Sequence, residues 1–468
     1  MPKSTRQRIL IVGAGASGAL MAAHLMRRGR ADLDVTLVES RAEIGRGLAY
    51  ATENPGHLLN VRAANMSAFA DDPGHFARWL SAQADAPLGD GDPDFRFGSR
   101  AIYGRYLESL VRECLRDPGT SSGVTLVRDQ AQSIRVASEG VEITLAAGQV
   151  VRGDVAILAC GHESAVNDGS LFISPWANPV GGGAPPDATL LILGTGLTMV
   201  DTALALQQRG HRGRIVALSR RGLTPHAHRF VAPFPIDAEG APFDGDLPTL
   251  LRWLRGLARD HVAQGGDWRS VVDGLRPHTQ AIWRAMSLRR RARFLEHGRP
   301  WWDIHRHRMA PEVAARFAAM IADGKLEIVA GRLIETRRVG EGAEAVLRRR
   351  GARVEETLSV ARIISCKGVT SSPDGSANPL VRSLFAAGLA RVDPLRIGIE
   401  VAPDCAIVDR DGRASQRLFA IGPMSQAAFW EIVAIPDIRL QTAALAARLA
   451  PAGGEMGDVR TASPASAG

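Results

Sequence analysis

Two glycine-rich turns constrain this chain more than any other feature. Gly13-Ala14-Gly15-Ala16-Ser17-Gly18 follows the short apolar run Arg8 to Val12, and Gly194-Thr195-Gly196, with Leu197, Thr198 and Met199 behind it, follows Thr189 to Leu193 about 180 residues later. In both places the pattern reads as strand, tight turn and helix. The helices are predicted over Ala19 to Arg28 and Thr198 to Gln207, and the next strands over Asp34 to Val38 and Ile215 to Leu218. A βαβ unit of this kind gives each glycine a purpose. Gly13 allows the turn, Gly15 lets the backbone approach a pyrophosphate, Gly18 lets helix and strand pack closely, and the helix N-terminus offers unpaired N–H groups. Ser17 lies in the same turn. The expected fold is therefore α/β, with two Rossmann-like dinucleotide-binding domains.

The residues at the end of each second strand separate the two units. Glu39 lies 21 residues after Gly18, where a carboxylate can accept hydrogen bonds from the ribose hydroxyls of an adenosine. The second unit replaces the third glycine with Met199, and its strand ends in Ser219-Arg220-Arg221. A carboxylate would repel a 2′-phosphate, whereas arginine pairs with one bidentately and serine can donate to it. NADPH is thus expected in preference to NADH, held by Gly194, Gly196, Ser219, Arg220 and Arg221. An ordinary glycine turn beside surface arginines is the plainer alternative.

Length and charge set the outer bounds. A chain of 468 residues with 45% apolar content can bury more than one core, and of its 57 basic residues all but Lys3, Lys325 and Lys367 are Arg. The net charge of +8 argues only weakly for nucleic acid, and the basic stretch Arg284, Arg289, Arg290, Arg291, Arg293 and Arg299 reads as a solvated helix face. Cys114, Cys160, Cys366 and Cys405 form no C-x-x-C pair, which excludes a redox-active disulfide of that type, and no ligand set with metal spacing is evident. Met1 to Arg8 is polar, and no apolar run is long enough to span a bilayer. A cytoplasmic protein without a membrane or nucleic-acid partner is expected, and oligomeric state is left open.

Two further apolar strands end in glycine, Asp154 to Gly161 and Ala361 to Gly368. With Arg417 to Gly422, RLFAIG, they resemble the crossings and the C-terminal flavin motif of the flavoproteins that have two dinucleotide-binding domains. The resemblance implies FAD, with Gly161 and Gly422 against it. Gly422-Pro423 departs from the commoner glycine-aspartate pair, so no carboxylate is expected on the ribityl chain. Ala434-Ile435-Pro436-Asp437 would begin the last helix and aim backbone N–H groups, that of Ile435 among them, at the reduced flavin.

Asn54 to Asn60, Met66 to Pro73, Phe76 to Leu80 and Arg100 to Leu107 resemble the flavin-lining segment of flavin-dependent N-hydroxylating monooxygenases. The blocks HLLNVRAANMSAFADDP, GTGLTMVD, DIHRHRMAPE and FWEIVAIPDIR resemble those of the bacterial FAD/NAD(P)-binding protein family. The resemblance implies that NADPH reduces FAD and that the flavin, with oxygen, hydroxylates a small amine-type nucleophile through a flavin hydroperoxide. His57, Asn60 and Met66 would then border the flavin, and His57 and Asn60, with Arg306, are the candidate catalytic residues. An NADPH oxidase or acceptor reductase is the alternative within enzymes, and a non-catalytic nucleotide-binding redox sensor the alternative outside them.

Residues 225–311 interrupt the second unit with helix-like sequence over Pro248 to His261, Trp268 to Leu275 and Gln280 to Phe294. The insertion is expected to cover the flavin cleft. Its segment Trp301-Trp302-Asp303-Ile304-His305-Arg306-His307-Arg308 reads either as a lid in which Arg306 grips an anionic substrate or as packed tryptophans beside a basic face; in a strand, His305 and His307 would share a side. The expected layout is an FAD domain over 1–187, an NADPH domain over 188–360, an FAD-domain return over 361–450 and a disordered tail over 451–468. Pro179 to Pro186 would be the linker.

Overall fold

The computed structural model describes residues 6–83, 96–115, 123–161, 171–175, 183–368 and 372–451. The expected tail, from residue 452 on, and the first part of the expected linker, residues 179–182, lie outside them.

The first βαβ unit consists of β1 (Gln7–Val12), α1 (Ala16–Arg27) and β2 (Leu33–Glu39), with β1 and β2 parallel. The helix begins three residues earlier than expected, because the turn closes on Gly15, which is the N-cap. After α2 (His75–Ser81), α3 (Arg100–Cys114) and β3 (Gly123–Arg128), an antiparallel sheet of β4 (Ala131–Ala137), β5 (Gly140–Leu145) and β6 (Val150–Gly153) leads to β7 (Val155–Leu158). The core of this half is apolar throughout. Ile9, Ile11, Leu20, Leu25, Val35 and Leu37 pack with Tyr103 and Tyr106 of α3, and none of them is exposed.

The second unit consists of β8 (Phe172–Ile173), β9 (Leu190–Leu193), α4 (Leu197–Gln208) and β10 (Ile215–Ser219). Helices α5 (Leu247–Ala263), α6 (Trp268–Gly274), α7 (Thr279–Ala285), α8 (Leu288–Arg293) and α9 (Arg299–Arg306) form the insertion. The unit resumes at α10 (Pro311–Ala322), β11 (Leu326–Val339), β12 (Gly342–Arg349), β13 (Glu356–Val360) and β14 (Arg362–Ser365). The chain ends with α11 (Pro379–Ala386), β15 (Ala406–Val408), β16 (Ala414–Ala420) and α12 (Ile435–Leu449).

Two large sheets result, ordered β15-β16-β7-β1-β2-β3 and β13-β12-β11-β10-β9-β14-β8. The boundaries differ from the sequence expectation at both ends of the second unit. Strand β8 joins the second sheet ahead of residue 188, and β14 pairs in parallel with β9, so that sheet holds the chain to Ser365 before it returns to β16.

The insertion has a core of its own. Leu250, Leu275, Ile282, Trp283 and Met286 are buried together with Trp430, which belongs to the segment before α12. Trp283 stacks on Trp430 at 4.8 Å and donates from Nε1 to the Ala427 carbonyl at 2.8 Å. The helix expected over Gln280 to Phe294 is broken in two, because Met286 is extended and the Ser287 hydroxyl accepts from Arg290 N to start a new helix. The arginines around the break are only partly a solvated face. Arg290 donates to the Asp244 and Gly245 carbonyls, and Arg291 donates to those of Trp283 and Arg284.

Candidate functional site

Three clefts gather the polar and glycine residues of interest. The first runs over the C-terminal ends of β1, β2 and β7, where open α/β sheets bind ligands. Glu39, Ser40 and Arg41 line one end. Gly13, Gly15, Ala16 and Ser17 line its middle, and Cys160, Gly161, Pro423, Val433 and Ile435 the other end.

Its backbone leaves no room for side chains. Gly13 has φ +99°, and a Cβ there would meet the Ala159 carbonyl oxygen at 2.6 Å; a Cβ on Gly18 would come within 1.9 Å of the Gly13 carbonyl oxygen. Gly18 therefore lies beneath the turn and sets the close approach of α1. Gly422 has φ +64° and backs onto Ser17. Glu39 Oε2 accepts from Ala14 N at 2.7 Å and Oε1 from Arg41 N at 2.9 Å, so the carboxylate is fixed at the cleft end. Helix α12 starts at Ile435 with Pro436 in its first turn, and the Ile435 N–H has no partner among the described residues. This elongated cradle fits a dinucleotide: amides at two helix starts for negative charge, and a carboxylate where a ribose would lie.

The second unit repeats the turn with one difference. Gly194 has φ +107°, and a Cβ there would meet the Cys366 carbonyl oxygen at 2.4 Å, as in the first turn. Gly196 caps α4, while Met199 is fully buried at the third position. Ser219 Oγ accepts from Gly222 N at 3.0 Å and lies 2.9 Å from Thr195 Oγ1, so the side chain organises its own turn.

Arg220 and Arg221 line the second cleft together with Arg332, Arg348, Arg349 and Arg350. Only Arg349 of these six has carboxylate partners among the described residues, Glu327 at 3.0 Å and Glu356 at 2.8 Å. Arg332 and Arg348 are directly opposed across the β11–β12 hairpin. Like charges opposed in this way destabilise a sheet unless an anion lies between them. Arg332, Arg348 and Arg350 were missed in the sequence, although the run Arg348-Arg349-Arg350 at a strand end was a visible signal.

The third cleft opens between the insertion and the outer side of α12. Asn60, Arg62 and Asn65 line it from the first domain, Arg276, Gln280, Arg284 and Arg306 from the insertion, and Asp437, Arg439 and Gln441 from α12. Arg276 pairs with Asp437 at 3.0 Å. Arg306, only 7% exposed, has its Nε 3.3 Å from a carboxylate oxygen of Glu431, itself a buried residue at φ +67°. Trp302 Nε1 donates to the other oxygen of Glu431. Glu431 thus ties α9 to the segment before α12, a role that the sequence did not reveal.

The three candidate catalytic residues do not all come together. Asn60 and Arg306 share the third cleft, and His228 Nε2 bonds the Asn60 carbonyl at 3.0 Å. Burial, with Arg308 nearby, pulls the His228 pKa down to about 3. His57 lines none of the three clefts. Its Nδ1 bonds Thr52 Oγ1 at 2.8 Å beside Asn54, which donates to Gln208 of α4, and burial lowers its pKa. The ring belongs to the seam between the two units. Met66 is 2% exposed in the core, its carbonyl accepting from Tyr103 OH at 2.9 Å, and it lines none of the three clefts. His305 and His307 do not share a side, because the segment is helical. His305 packs on His226 and Trp268, whereas His307 faces Glu431 at 3.7 Å.

The four cysteines are free thiols, and burial raises Cys114 to about 11 and both Cys366 and Cys405 to about 12. Among the described residues no three His, Cys, Asp or Glu are grouped to hold a metal ion. No helix there is long and apolar enough to cross a membrane.

Comparison with known proteins agrees with this architecture. Residues 10–163 match a protein-family model described as FAD-NAD(P)-binding. No curated protein matches the sequence. Among solved structures, L-lysine 6-monooxygenase from Pseudomonas syringae is similar with a TM-score of 0.65 at 15% identity, covering 95% of this chain and 99% of that one. The cadaverine monooxygenase of desferrioxamine biosynthesis from Erwinia amylovora gives 0.63 at 10% identity, covering 94% of each chain. The ornithine N-hydroxylase of Kutzneria sp. 744 gives 0.59 at 13% identity, covering 94% and 98%. This chain therefore carries an FAD-NAD(P)-binding family domain over residues 10–163, within the fold shared by these lysine, cadaverine and ornithine monooxygenases.

Proposed function

We propose that the protein is an FAD-dependent, NADPH-using monooxygenase that hydroxylates a small amine-type substrate. The observation that carries this reading is the pairing of two unlike nucleotide units in one chain. One has a glycine cradle closed by Glu39, and the other ends in five arginines without carboxylate partners among the described residues. A carboxylate suits ribose hydroxyls, and unpaired guanidinium groups suit a 2′-phosphate.

The first cleft, through Gly13, Gly15 and Glu39, would hold FAD, which would supply the redox chemistry with NADPH as reductant and oxygen as oxidant. The chain's own part is binding and placement. Gly13 and Gly15 admit the pyrophosphate against the first turn of α1, Glu39 orients the adenosine end, and the Ile435 N–H at the start of α12 stabilises negative charge on the ring system. Arg220, Arg221, Arg332, Arg348 and Arg350 hold the 2′-phosphate. The insertion, anchored by Trp283 on Trp430, walls the third cleft and limits water there. Cys366 and Cys405 are buried and take no part, and the absence of a C-x-x-C pair separates this reading from disulfide reduction of that type on the same scaffold.

The test is direct. The purified protein is expected to show a flavin spectrum that NADPH bleaches, with oxygen uptake matched by a hydroxylated product when the amine substrate is present. Hydrogen peroxide or reduced acceptor as the sole product would make it an oxidase or reductase. Tight FAD binding with no NADPH consumption would make it a sensor, and failure to bind FAD would overturn the reading altogether.

A further inference from the structure

The third cleft carries a charge that its structural neighbours' named substrates do not predict. Six arginines line it, Arg62, Arg229, Arg276, Arg284, Arg306 and Arg439, against two carboxylates, Asp273 and Asp437. Both carboxylates are already engaged, Asp437 by Arg276 and Asp273 by the buried Arg308. Glu431 behind the wall is engaged by Arg306 and Trp302. Among the described residues, no unengaged carboxylate lines the cleft to receive an ammonium group. Arg439 donates from Nη1 to the Ser67 carbonyl, but its Nε is buried without a partner among the described residues. Among the described residues the Arg284 side chain has only the Gln280 side chain and the Phe429 ring as partners. Burial also pulls Arg276 and Arg439 below the usual arginine range, and at Arg276 the nearby Arg306 adds to the effect.

We propose that this cleft binds a substrate that is anionic overall, an amine carrying two acidic groups, and rejects the cationic diamines and diamino acids named for the neighbouring structures. The proposal rests on the monooxygenase reading for the amine and on the cleft alone for the anionic groups. Asn60, Asn65, Gln280 and Gln441 supply neutral donors and acceptors that tolerate an uncharged amine. Arg276, Arg284 and Arg439 supply the positive wall. A carboxylate or a phosphate would satisfy them by the same charge-assisted contacts.

The experiment is calorimetric titration of the protein as purified, without NADPH, using aspartate, glutamate, O-phosphoserine, ornithine, lysine and cadaverine as probes. At least one of the first three is expected to bind, with an affinity that falls with added salt, and the last three are expected not to. Aspartate and glutamate against O-phosphoserine distinguishes carboxylate from phosphate as the second acid. Arg284→Gln, on the exposed face of α7, and Arg439→Gln are each expected to weaken that binding about tenfold or more, with an unchanged melting temperature for the first. Ornithine, lysine or cadaverine binding as tightly as the acidic probes, or no binding by any acidic probe, would overturn the proposal. Flavin content and NADPH oxidation are read separately, so an anion bound by a protein that never oxidises NADPH refutes the monooxygenase reading and leaves this one standing.

Discussion

A Cβ added to Gly422 would lie 2.2 Å from Ser17 Oγ and 3.0 Å from Ser17 Cβ. The C-terminal segment that returns to the first sheet thus closes on the start of α1, residue against residue. Two costs meet at Gly422, because its φ of +64° disfavours any L side chain and Ser17 occupies the space. Gly422→Ala is expected to destabilise the protein by about 1–3 kcal/mol and to lower FAD retention. Ser17→Ala in the same chain should recover the part of the steric share that comes from Oγ, and leave the backbone share together with the Cβ contact. A double-mutant cycle by chemical denaturation, with flavin content measured in parallel, separates them. Gly422→Ala without loss of either quantity would refute the account.

The second cleft predicts a cofactor preference that arginine removal abolishes. Arg220→Ala or Arg221→Ala should raise the KM for NADPH by about 10- to 100-fold, the equivalent of about 1.5–3 kcal/mol for a charge-assisted contact. The KM for NADH should hardly move. Arg348→Ala and Arg350→Ala, on the facing hairpin, are expected to act in the same direction. The check is steady-state kinetics with both nucleotides. Equal effects on the two would mean that these arginines do not contact a 2′-phosphate.

Local features of both glycine units were legible in the sequence, because each depends on near neighbours. A glycine at positive φ, an apolar strand before it and a charged residue at the next strand end are fixed within about 40 residues, the span of a βαβ unit. Relationships across the chain were not legible. Strand β14 looked like part of the return to the first domain, but its apolar run is equally suited to either sheet, and only pairing with β9 assigns it. His57 sits in a motif that resembles a flavin-lining segment, yet Asn54, its close neighbour, reaches Gln208 of α4, which places the ring on the seam between domains. Glu431 reads as one acid in an apolar block. Its importance comes from Trp302 and Arg306, well over a hundred residues earlier, and from a left-handed backbone that no neighbouring residue announces.

The insertion should detach without unfolding the sheets. Trp430 is 4% exposed, stacks on Trp283 and receives the edge of Phe294 at 5.6 Å, so it plugs the insertion core from the other domain. Trp430→Ala is expected to cost about 3–5 kcal/mol locally. Limited proteolysis should then cut within residues 247–306 first, while the flavin spectrum persists. Simultaneous loss of protease resistance throughout the chain would show that the insertion is part of one cooperative unit.

Acid stability should depend on His24. This residue of α1 is 7% exposed against the Phe69 ring, and its Nε2 has no partner among the described residues. Burial, with Arg27 nearby, pulls its pKa down to about 4, whereas in the unfolded chain it returns to near its ordinary value of about 6.5. Below that pH the unfolded state therefore binds more protons than the folded one. The stability this contributes is present above about pH 6.5 and is lost as pH falls through about 4, the full shift being worth about 3 kcal/mol. His228, held lower still, extends the loss toward about pH 3. Urea denaturation at pH 7, 6, 5 and 4 should show this decline, and His24→Leu should remove its upper part. An unchanged slope between pH 6.5 and 4 in that variant would mean that His24 is already protonated in the folded protein, and that the packing of α1 against Phe69 accommodates the charge.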